Sequence, residues 1–402
     1  MKLSSFFSST SALIFGLGLY SFFNFLVIFF IGKEYGLVEL GKYSLALSII
    51  TPLYIFIFQS YRTYIVTYEH IKYSQYDFYS SRIILSSIFI IPILLLSLYI
   101  NNYFLIIIFF VKFIEGLSDI SYSFYNRNKK VYFIGFSNAI KSCIGIFIMF
   151  FCVKFFDIYY SFLVLIIFYF LFFIFFDSDF SFFNKVLESL TNLQQNFKNI
   201  YEIYGNMKFM IYSALIAGLV YHIPKYYLGA FSSEELGVFT IVTSLSIGIN
   251  LVAISMGQVI QPYVKEMNLN KILIIIFLMI LILLVVLMAL FFLVSKFYNY
   301  VFIDYLKLNF TLKDFLLCNL LFLSIYIGQI LSFVASSYKK YRGIFFINFF
   351  SVIFLIIFSG IFIKYFGGVF GGCLLFMCVG LIQILGYSII IYKNSGVALE
   401  LS

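Results

Sequence analysis

The sequence predicts an all-α, polytopic membrane protein with about 12 transmembrane helices in two six-helix lobes related by an internal repeat. Composition, the spacing of apolar runs and matching segments in the two halves lead to this fold class. Of the 402 residues, 63% are hydrophobic and 11% are charged, whereas soluble domains average about 25% charged residues. So few charges cannot cover a water-facing surface. The composition therefore excludes an ordinary soluble protein, a disordered chain and a nucleic-acid-binding protein, despite a net charge of +9.

Apolar runs of about 20 residues, the length that crosses a bilayer, alternate with polar breaks. The first six candidate spans cover approximately residues 11–31, 40–60, 82–100, 104–125, 131–153 and 157–176. The other six cover approximately 207–229, 236–262, 268–294, 313–335, 343–363 and 367–392. The first run is too long for the apolar core of a signal peptide and no small-residue cleavage site follows it, so we interpret it as a retained span.

The longest polar gap divides the chain into domains. We predict an N-terminal six-helix lobe over 1–176, a cytoplasmic amphipathic linker helix over 177–206 and a C-terminal six-helix lobe over 207–402. Apolar residues recur in the linker at three- and four-residue spacing, which is typical of a helix lying at a membrane surface. We expect this helix to tether the lobes; binding of a partner is the alternative.

The distribution of basic residues predicts the orientation. An even number of spans places both termini on one side. That side holds 16 lysines and arginines, including all four arginines, against 8 on the other side, and the remaining two, Lys112 and Lys141, lie inside spans. Because basic residues concentrate in cytoplasmic loops, we expect both termini to be cytoplasmic.

Short matching segments support an internal duplication. Glu39-Leu40-Gly41 precedes span two as Glu235-Leu236-Gly237 precedes span eight, at an offset of 196 residues, and Lys129-Lys130 matches Lys339-Lys340 in later loops at an offset of 210. Each repeat contains six spans, an even number, so both have the same orientation and an axis along the membrane normal relates them. This arrangement leaves a cavity between two lobes, which suits alternating access.

Charges inside spans need a specific reason, because each costs at least about 2.5–3.5 kcal/mol on insertion scales. Span four carries Lys112, Glu115 and Asp119 on one helix face, and span five carries Lys141. Glu115 and Lys141 each lie about eleven residues from the intervening loop, roughly 16 Å deep, so they are candidate partners. On this interpretation the only deep charges lie in one hairpin of the first lobe.

Two interpretations of these charges stay open. In the structural one, a buried Glu115–Lys141 ion pair joins spans four and five. In the functional one, Lys112 and Lys141 line a substrate cavity and attract an anion, while Glu115 or Asp119 tunes them or carries a coupling proton. Asn24 is a further candidate for the cavity.

Three groups of further candidates lie in other spans. Asn250 in span eight is the preferred cavity-facing partner of Asn24. His222 and Lys225 end span seven near the outer surface and are candidates for an exit path. Pro52 and Pro224 are candidate hinges, because proline removes a backbone hydrogen bond within a helix.

No cofactor or metal is expected. The chain has two histidines, and its five cysteines lie in apolar runs without a CxxC pair. It also contains no P-loop motif, so ATP is not expected to supply energy within this chain.

Three stretches of the sequence resemble a known family: IGKEYGLVELGKYSLALSIITPL (31–53), LGAFSSEELGVFTIVTSLSIGINLVAISMGQVIQPYVKE (228–266) and KYFGGVFGGCLL (364–375). They are similar to the polysaccharide transporters, specifically the O-antigen flippases, of the multidrug/oligosaccharidyl-lipid/polysaccharide exporter superfamily. The resemblance implies a non-enzymatic flippase in the bacterial cytoplasmic (inner) membrane that moves an oligosaccharide linked to undecaprenyl pyrophosphate and accepts its anionic headgroup in a cationic cavity. It implies lipid-linked oligosaccharide and membrane lipids as partners, with polysaccharide polymerase and chain-length proteins as candidates.

Two other functions fit the composition. A membrane-embedded glycan polymerase has similar length, but such enzymes carry a large outer loop with arginines, whereas the longest predicted outer loop, 295–312, is short and has no arginine. A cation-coupled drug exporter of the same superfamily is the other alternative. The cationic bias of the buried charges argues against it.

A reporter fusion tests the orientation. A phosphatase reporter, which is active only outside the cytoplasm, is expected to be inactive when fused after Ser402. The same reporter in the loop near Asn101 is expected to be active. The reverse pattern would overturn the predicted topology.

Overall fold

The computed structural model describes residues 3–59, 65, 73–128, 130–178, 182–191, 193–260, 264, 267–298, 311–338 and 340–395. Within these ranges the chain is helical and contains no strand. Most of the predicted outer loop 295–312 and the C-terminal residue Ser402 lie outside the described residues.

Fourteen α-helices make up the described chain, and two of them end in a π-helical turn. The first seven are α1 (Leu3–Glu34), α2 (Gly36–Tyr54, then a π turn Ile55–Gln59), α3 (Gln75–Ile100), α4 (Phe104–Arg127), α5 (Val131–Phe155), α6 (Ile158–Phe172, then a π turn Phe173–Asp177) and α7 (Phe182–Thr191). The other seven are α8 (Leu193–Phe231), α9 (Ser233–Ile260), α10 (Leu269–Tyr298), α11 (Leu312–Leu321), α12 (Leu323–Ser337), α13 (Tyr341–Phe366) and α14 (Gly368–Ser395).

Nine helical segments in the described part of the chain are long and apolar enough to cross a membrane. They coincide with nine of the twelve predicted spans. The helices α4, α8 and α9 occupy the other three positions and carry more charged or polar residues. A helix of 24 residues such as α4 is about 36 Å long, enough to cross the apolar layer. The chain is thus an all-α, multi-pass membrane protein.

Local signals explain where several helices begin and end. Ser74 caps α3 in a reciprocal capping box with Asp77, and Asp157 caps α6 through its own side chain. Asn101 adopts a left-handed conformation (φ 52°) that ends α3. These short polar breaks produce the tight turns between long apolar helices.

The linker and span ten differ from their predicted forms. The predicted linker helix 177–206 consists of α7 and the beginning of α8, and α8 continues without a break through predicted span seven. The α7 helix packs on α3, where the ring centroids of Tyr79 and Phe182 lie 5.0 Å apart. Span ten is divided at Phe322 into α11 and α12.

The described chain separates into two compact units that do not coincide with the predicted domain limits. The first unit comprises Met1–Phe30 and Leu45–Gly218, and the second comprises Ile31–Ser44 and Leu219–Ser402. The linker therefore belongs to the first unit, as does the rest of α8 up to Gly218. The first half of α2 belongs to the second unit. The two units are therefore not consecutive halves of the sequence.

Within the second unit, the first half of α2 crosses α9 at two glycines. A Cβ atom on Gly41 would overlap the backbone carbonyl of Ser233, and one on Gly237 would overlap that of Leu37. Each glycine therefore allows the two backbones to approach closely, as in other membrane helix pairs with small residues. Next to this crossing, the Thr240 hydroxyl donates a hydrogen bond of 2.6 Å to the Ser44 hydroxyl.

Substitution of Gly41 tests this crossing. Gly41→Ala is expected to lower the thermal midpoint of unfolding in detergent, because overpacking costs about 1–3 kcal/mol. Gly18→Ala is the matched control, since a Cβ on Gly18 meets no atom within 4 Å. Equal midpoints for the two variants would contradict close packing at Gly41.

Candidate functional site

The α4 helix positions most of the charged groups of the first unit. Lys112, Glu115 and Asp119 follow one another at spacings of three and four residues, so they share one face of the helix. Ser118 and Tyr122 extend that face and are buried. The polar face predicted from the sequence is therefore present in the fold.

Near one end of this face, Lys112 and Glu115 form an ion pair. Their Nζ and Oε2 atoms lie 2.7 Å apart, and the side chains are 20% and 18% exposed. The Tyr20 hydroxyl of α1 donates a 2.7 Å hydrogen bond to Oε1 of Glu115, so both carboxylate oxygens are occupied. Lys112 also lies 5.8 Å from the centre of the Tyr54 ring. These contacts connect α4 to α1 and α2.

Asp119 bonds to α2. The Tyr54 hydroxyl donates a 2.5 Å hydrogen bond to its Oδ2 atom. Asn24, predicted to face the cavity, donates a 3.0 Å hydrogen bond to the Tyr20 carbonyl within its own helix. Asn24 is partly buried. Asn250 lies in the other unit, so the expectation that these two residues face each other stays a prediction.

Lys141 forms a buried ion pair with Asp177, the last residue of the π turn after α6. Their side chains are 6% and 1% exposed. The lysine also donates to Ser118 (2.8 Å) and Tyr122 (3.0 Å) on α4, and Ser137 donates to the other Asp177 oxygen at 2.7 Å. We call these five residues the Lys141–Asp177 cluster. Every donor and acceptor in it has a partner, so it holds α4, α5 and α6 together.

The predicted Glu115–Lys141 pair is therefore wrong. Side chains on a helix point toward its N-terminus. The helices α4 and α5 are antiparallel, so Glu115 points away from their connecting loop and Lys141 points toward it. Equal depths of the two Cα atoms thus put the charged groups at different depths, and Lys141 meets Ser118 and Tyr122 instead.

Sequence reasoning also missed Asp177 and Arg82. It assigned Asp177 to the polar gap after span six, but the π turn carries this residue into the interior. It assigned Arg82 to the cytoplasmic side, but the side chain is 0% exposed and lies 5.2 Å from the Phe58 ring centre. Deep charges are consequently not confined to the span four–five hairpin. The sequence contains one signal for Asp177, because it is a single acidic residue at the end of a long apolar run.

In the second unit, His222 and Lys225 are buried rather than at a helix end. Each is 7% exposed, and α8 continues six residues beyond Lys225 to Phe231. His222 Nδ1 and Asn250 Oδ1 are buried without a hydrogen-bond partner. Tyr221 donates a 3.2 Å hydrogen bond to Gln329 of α12.

The second unit holds a neutral polar pair where the first holds an ion pair. The Tyr387 hydroxyl of α14 donates a 2.7 Å hydrogen bond to Asn348 of α13, and Gln383 donates to the same oxygen at 3.3 Å. At the offset of 210 residues, Tyr387 corresponds to Asp177 and Asn348 to Asn138. The two repeats therefore connect equivalent helices with different chemistry.

Both candidate hinge prolines lie inside helices. Pro52 comes two residues before the end of α2, just ahead of the π turn at Ile55–Gln59. Pro224 is buried between His222 and Lys225. Their role as hinges stays a prediction.

Among the described residues, no group of three or more His, Cys, Asp or Glu side chains could hold a metal ion. The five cysteines are free thiols, and Cys318 and Cys373 are buried. The described residues instead offer two lysine–carboxylate pairs in the interior of the first unit, and buried atoms of His222 and Asn250 without a hydrogen-bond partner in the second.

Solved structures of transporters share this fold. The lipid II flippase MurJ in an inward closed conformation aligns with 96% of the chain and 90% of its own length, with a TM-score of 0.66 and 15% identity. The Vibrio cholerae MATE transporter VcmN aligns with 97% of both chains at a TM-score of 0.61 and 13% identity. A multidrug resistance MATE family transporter of the MOP superfamily, inward-facing, covers 100% of this chain and 97% of its own, with a TM-score of 0.60 and 15% identity. The chain thus shares its all-α, polytopic fold with these transporters, in agreement with the predicted fold class.

Comparison with curated sequences gives a partial match. The capsular polysaccharide biosynthesis protein CapF of Staphylococcus aureus is 24% identical over 233 residues. The match spans 57% of this chain and 58% of that relative's length. No family model matches the chain.

Breaking the Lys141–Asp177 pair tests its structural role. Lys141→Ala leaves a buried carboxylate without its counter-ion, so we expect a loss of about 3–5 kcal/mol of stability. Lys141→Met combined with Asp177→Leu is expected to recover most of it. The measurement is thermal unfolding in detergent, with exposed Lys154→Ala of the same helix as control. Loss of export with unchanged stability in Lys141→Ala would instead support the functional interpretation.

Proposed function

We propose that this protein is a flippase that moves an undecaprenyl-pyrophosphate-linked oligosaccharide, an O-antigen or capsule repeat unit, across the bacterial inner membrane by alternating access. It acts as a transporter and not as an enzyme, and both termini are cytoplasmic. The observation that carries the proposal is the shared fold with a lipid II flippase over 96% of the chain. The match to a capsular polysaccharide biosynthesis protein favours a glycan as the cargo.

The energy source in this proposal lies outside nucleotide hydrolysis. One elementary charge moved across the membrane is worth about 2.3 kcal/mol per 100 mV. A doubly charged headgroup therefore couples strongly to the membrane potential if it crosses together with the sugar. Polysaccharide polymerase and chain-length proteins are the proposed partners that act after export.

A second candidate is a drug exporter, favoured by the likeness to MATE transporters at TM-scores of 0.60 and 0.61. This function requires a site for organic cations. The charged groups on and around the polar face of α4 comprise two lysine–carboxylate pairs and Asp119, so their net local charge is small. The same first unit therefore offers no large excess of negative charge to a cation.

Deletion of the gene followed by lipid analysis tests the function. A flippase deletion is expected to accumulate complete, unpolymerised repeat units on the lipid carrier at the cytoplasmic face. The face is read by protection of these sugars from an added glycosidase in spheroplasts.

Two other results would contradict the proposal. Unpolymerised units on the outer face point to a polymerase. Unchanged glycan together with increased sensitivity to cationic drugs points to a drug exporter. Complementation with the intact gene is the control.

A further inference from the structure

The second unit contains one buried lysine among the described residues, Lys225. Its neighbour on the same helix face, His222, is equally buried. No carboxylate in the described part of the chain forms an ion pair with either side chain. A cation removed from water without a counter-ion is destabilising, so this arrangement is unusual unless a ligand completes it.

The first unit provides an internal comparison. Lys112 pairs with Glu115 and Lys141 pairs with Asp177, so the charge of each lysine is already balanced by its own unit. A ligand anion arriving at either lysine must compete with a carboxylate in contact. Lys225 meets no such competitor among the described residues. On electrostatic grounds it is therefore a better anion site than Lys112 or Lys141.

The chemistry of the two side chains defines the ligand. An ammonium group offers three donors, and the imidazole of His222 offers another, with Nδ1 buried and lacking a partner. Residues three apart on a helix lie on the same face, so both side chains can reach one ligand. Several donors around one point match an anion with several oxygens, such as a phosphate or pyrophosphate.

Uncharged polar groups lie next to this pair. Tyr221 precedes His222 and bonds to Gln329, and Asn250 lies beside Tyr221 with its Oδ1 atom unpartnered. The buried Tyr326 side chain lies near Tyr221 and Ser246. Amides and phenols of this kind can bond to hydroxyl groups of a sugar. They would adjoin a sugar attached to the phosphate.

We propose that Lys225 and His222 bind the phosphate groups of the lipid-linked substrate, and that Asn250 and Gln329 contact its first sugar. The inference rests on the proposed function for the identity of the substrate. It places the anion site in the second unit and gives the lysines of the first unit a structural role.

Binding of short lipid phosphates to the purified full-length protein tests this site. The probes are farnesyl pyrophosphate, farnesol without phosphate, and inorganic pyrophosphate. The intact protein is expected to bind farnesyl pyrophosphate at least about tenfold more tightly than farnesol. Lys225→Gln is expected to remove that preference, since loss of a buried charge partner costs at least about tenfold in affinity. Lys225→Arg is expected to keep it.

Stability without ligand gives a second readout. Lys225→Gln removes an uncompensated buried charge, so its thermal midpoint is expected to stay the same or rise. Lys141→Ala is expected to lower the midpoint. The control for both measurements is Lys364→Gln, an exposed lysine of the same unit. When the midpoint of Lys225→Gln equals or exceeds that of the intact protein, weaker binding cannot be assigned to misfolding.

Several outcomes would overturn the site. These are unchanged farnesyl pyrophosphate binding in Lys225→Gln, an equal loss in Lys364→Gln, or no binding by the intact protein. Lysine-dependent binding of inorganic pyrophosphate as tight as that of farnesyl pyrophosphate supports the anion site but assigns it to free phosphate. Export in the deletion strain with lysine-dependent binding contradicts the proposed function alone. Loss of export in that strain with lysine-independent binding contradicts the site alone.

Discussion

The arrangement of the first unit depends on finding partners for the charges buried in its apolar interior. The polar face of α4 carries three of these charges and bonds to the neighbouring helices. It bonds to α1 through Tyr20, to α2 through Tyr54 and to α5 through Lys141. A different side of α4 contacts α3 through the 2.5 Å contact between the Ser121 and Tyr79 hydroxyls. Because removal of one partner leaves another buried and unpaired, these contacts act as a set. One amphipathic helix thus specifies how the apolar helices around it are arranged.

The two units join equivalent helices through different kinds of polar contact. In the first, a lysine and an aspartate join α5 and α6. In the second, Asn348 and Tyr387 join the corresponding helices without charge. The two charges of an ion pair neutralise each other. Neutral polar groups, by contrast, provide no counter-ion for a further buried cation. Lys225 is buried in the second unit, and no carboxylate among the described residues forms an ion pair with it, which is why we propose the anion site there.

Much of the fold follows from the sequence, because the length and spacing of apolar runs fix helices directly. Nine of the predicted spans coincide with helices apolar enough to cross a membrane, and α4, α8 and α9 occupy the remaining positions. The stripe of Lys112, Glu115 and Asp119 follows equally well from helical periodicity. The partners of these charged side chains could not be predicted from the sequence. Pairing depends on the direction of each side chain, and one π turn was enough to carry Asp177 from a predicted surface segment to the interior.

The crossing of α2 and α9 is reciprocal under the offset of 196 residues. Gly41 contacts Ser233, Gly237 contacts Leu37, and Ser44 bonds to Thr240, its own counterpart in the repeat. Such exchange of partners is what an isologous contact imposes on two identical chains around a two-fold axis. The crossing therefore has the form of a homodimer interface within one polypeptide. Gly41–Ser233 and Gly237–Leu37 are counterparts at the same offset, so a substitution that disturbs one of these contacts leaves the matching one in place.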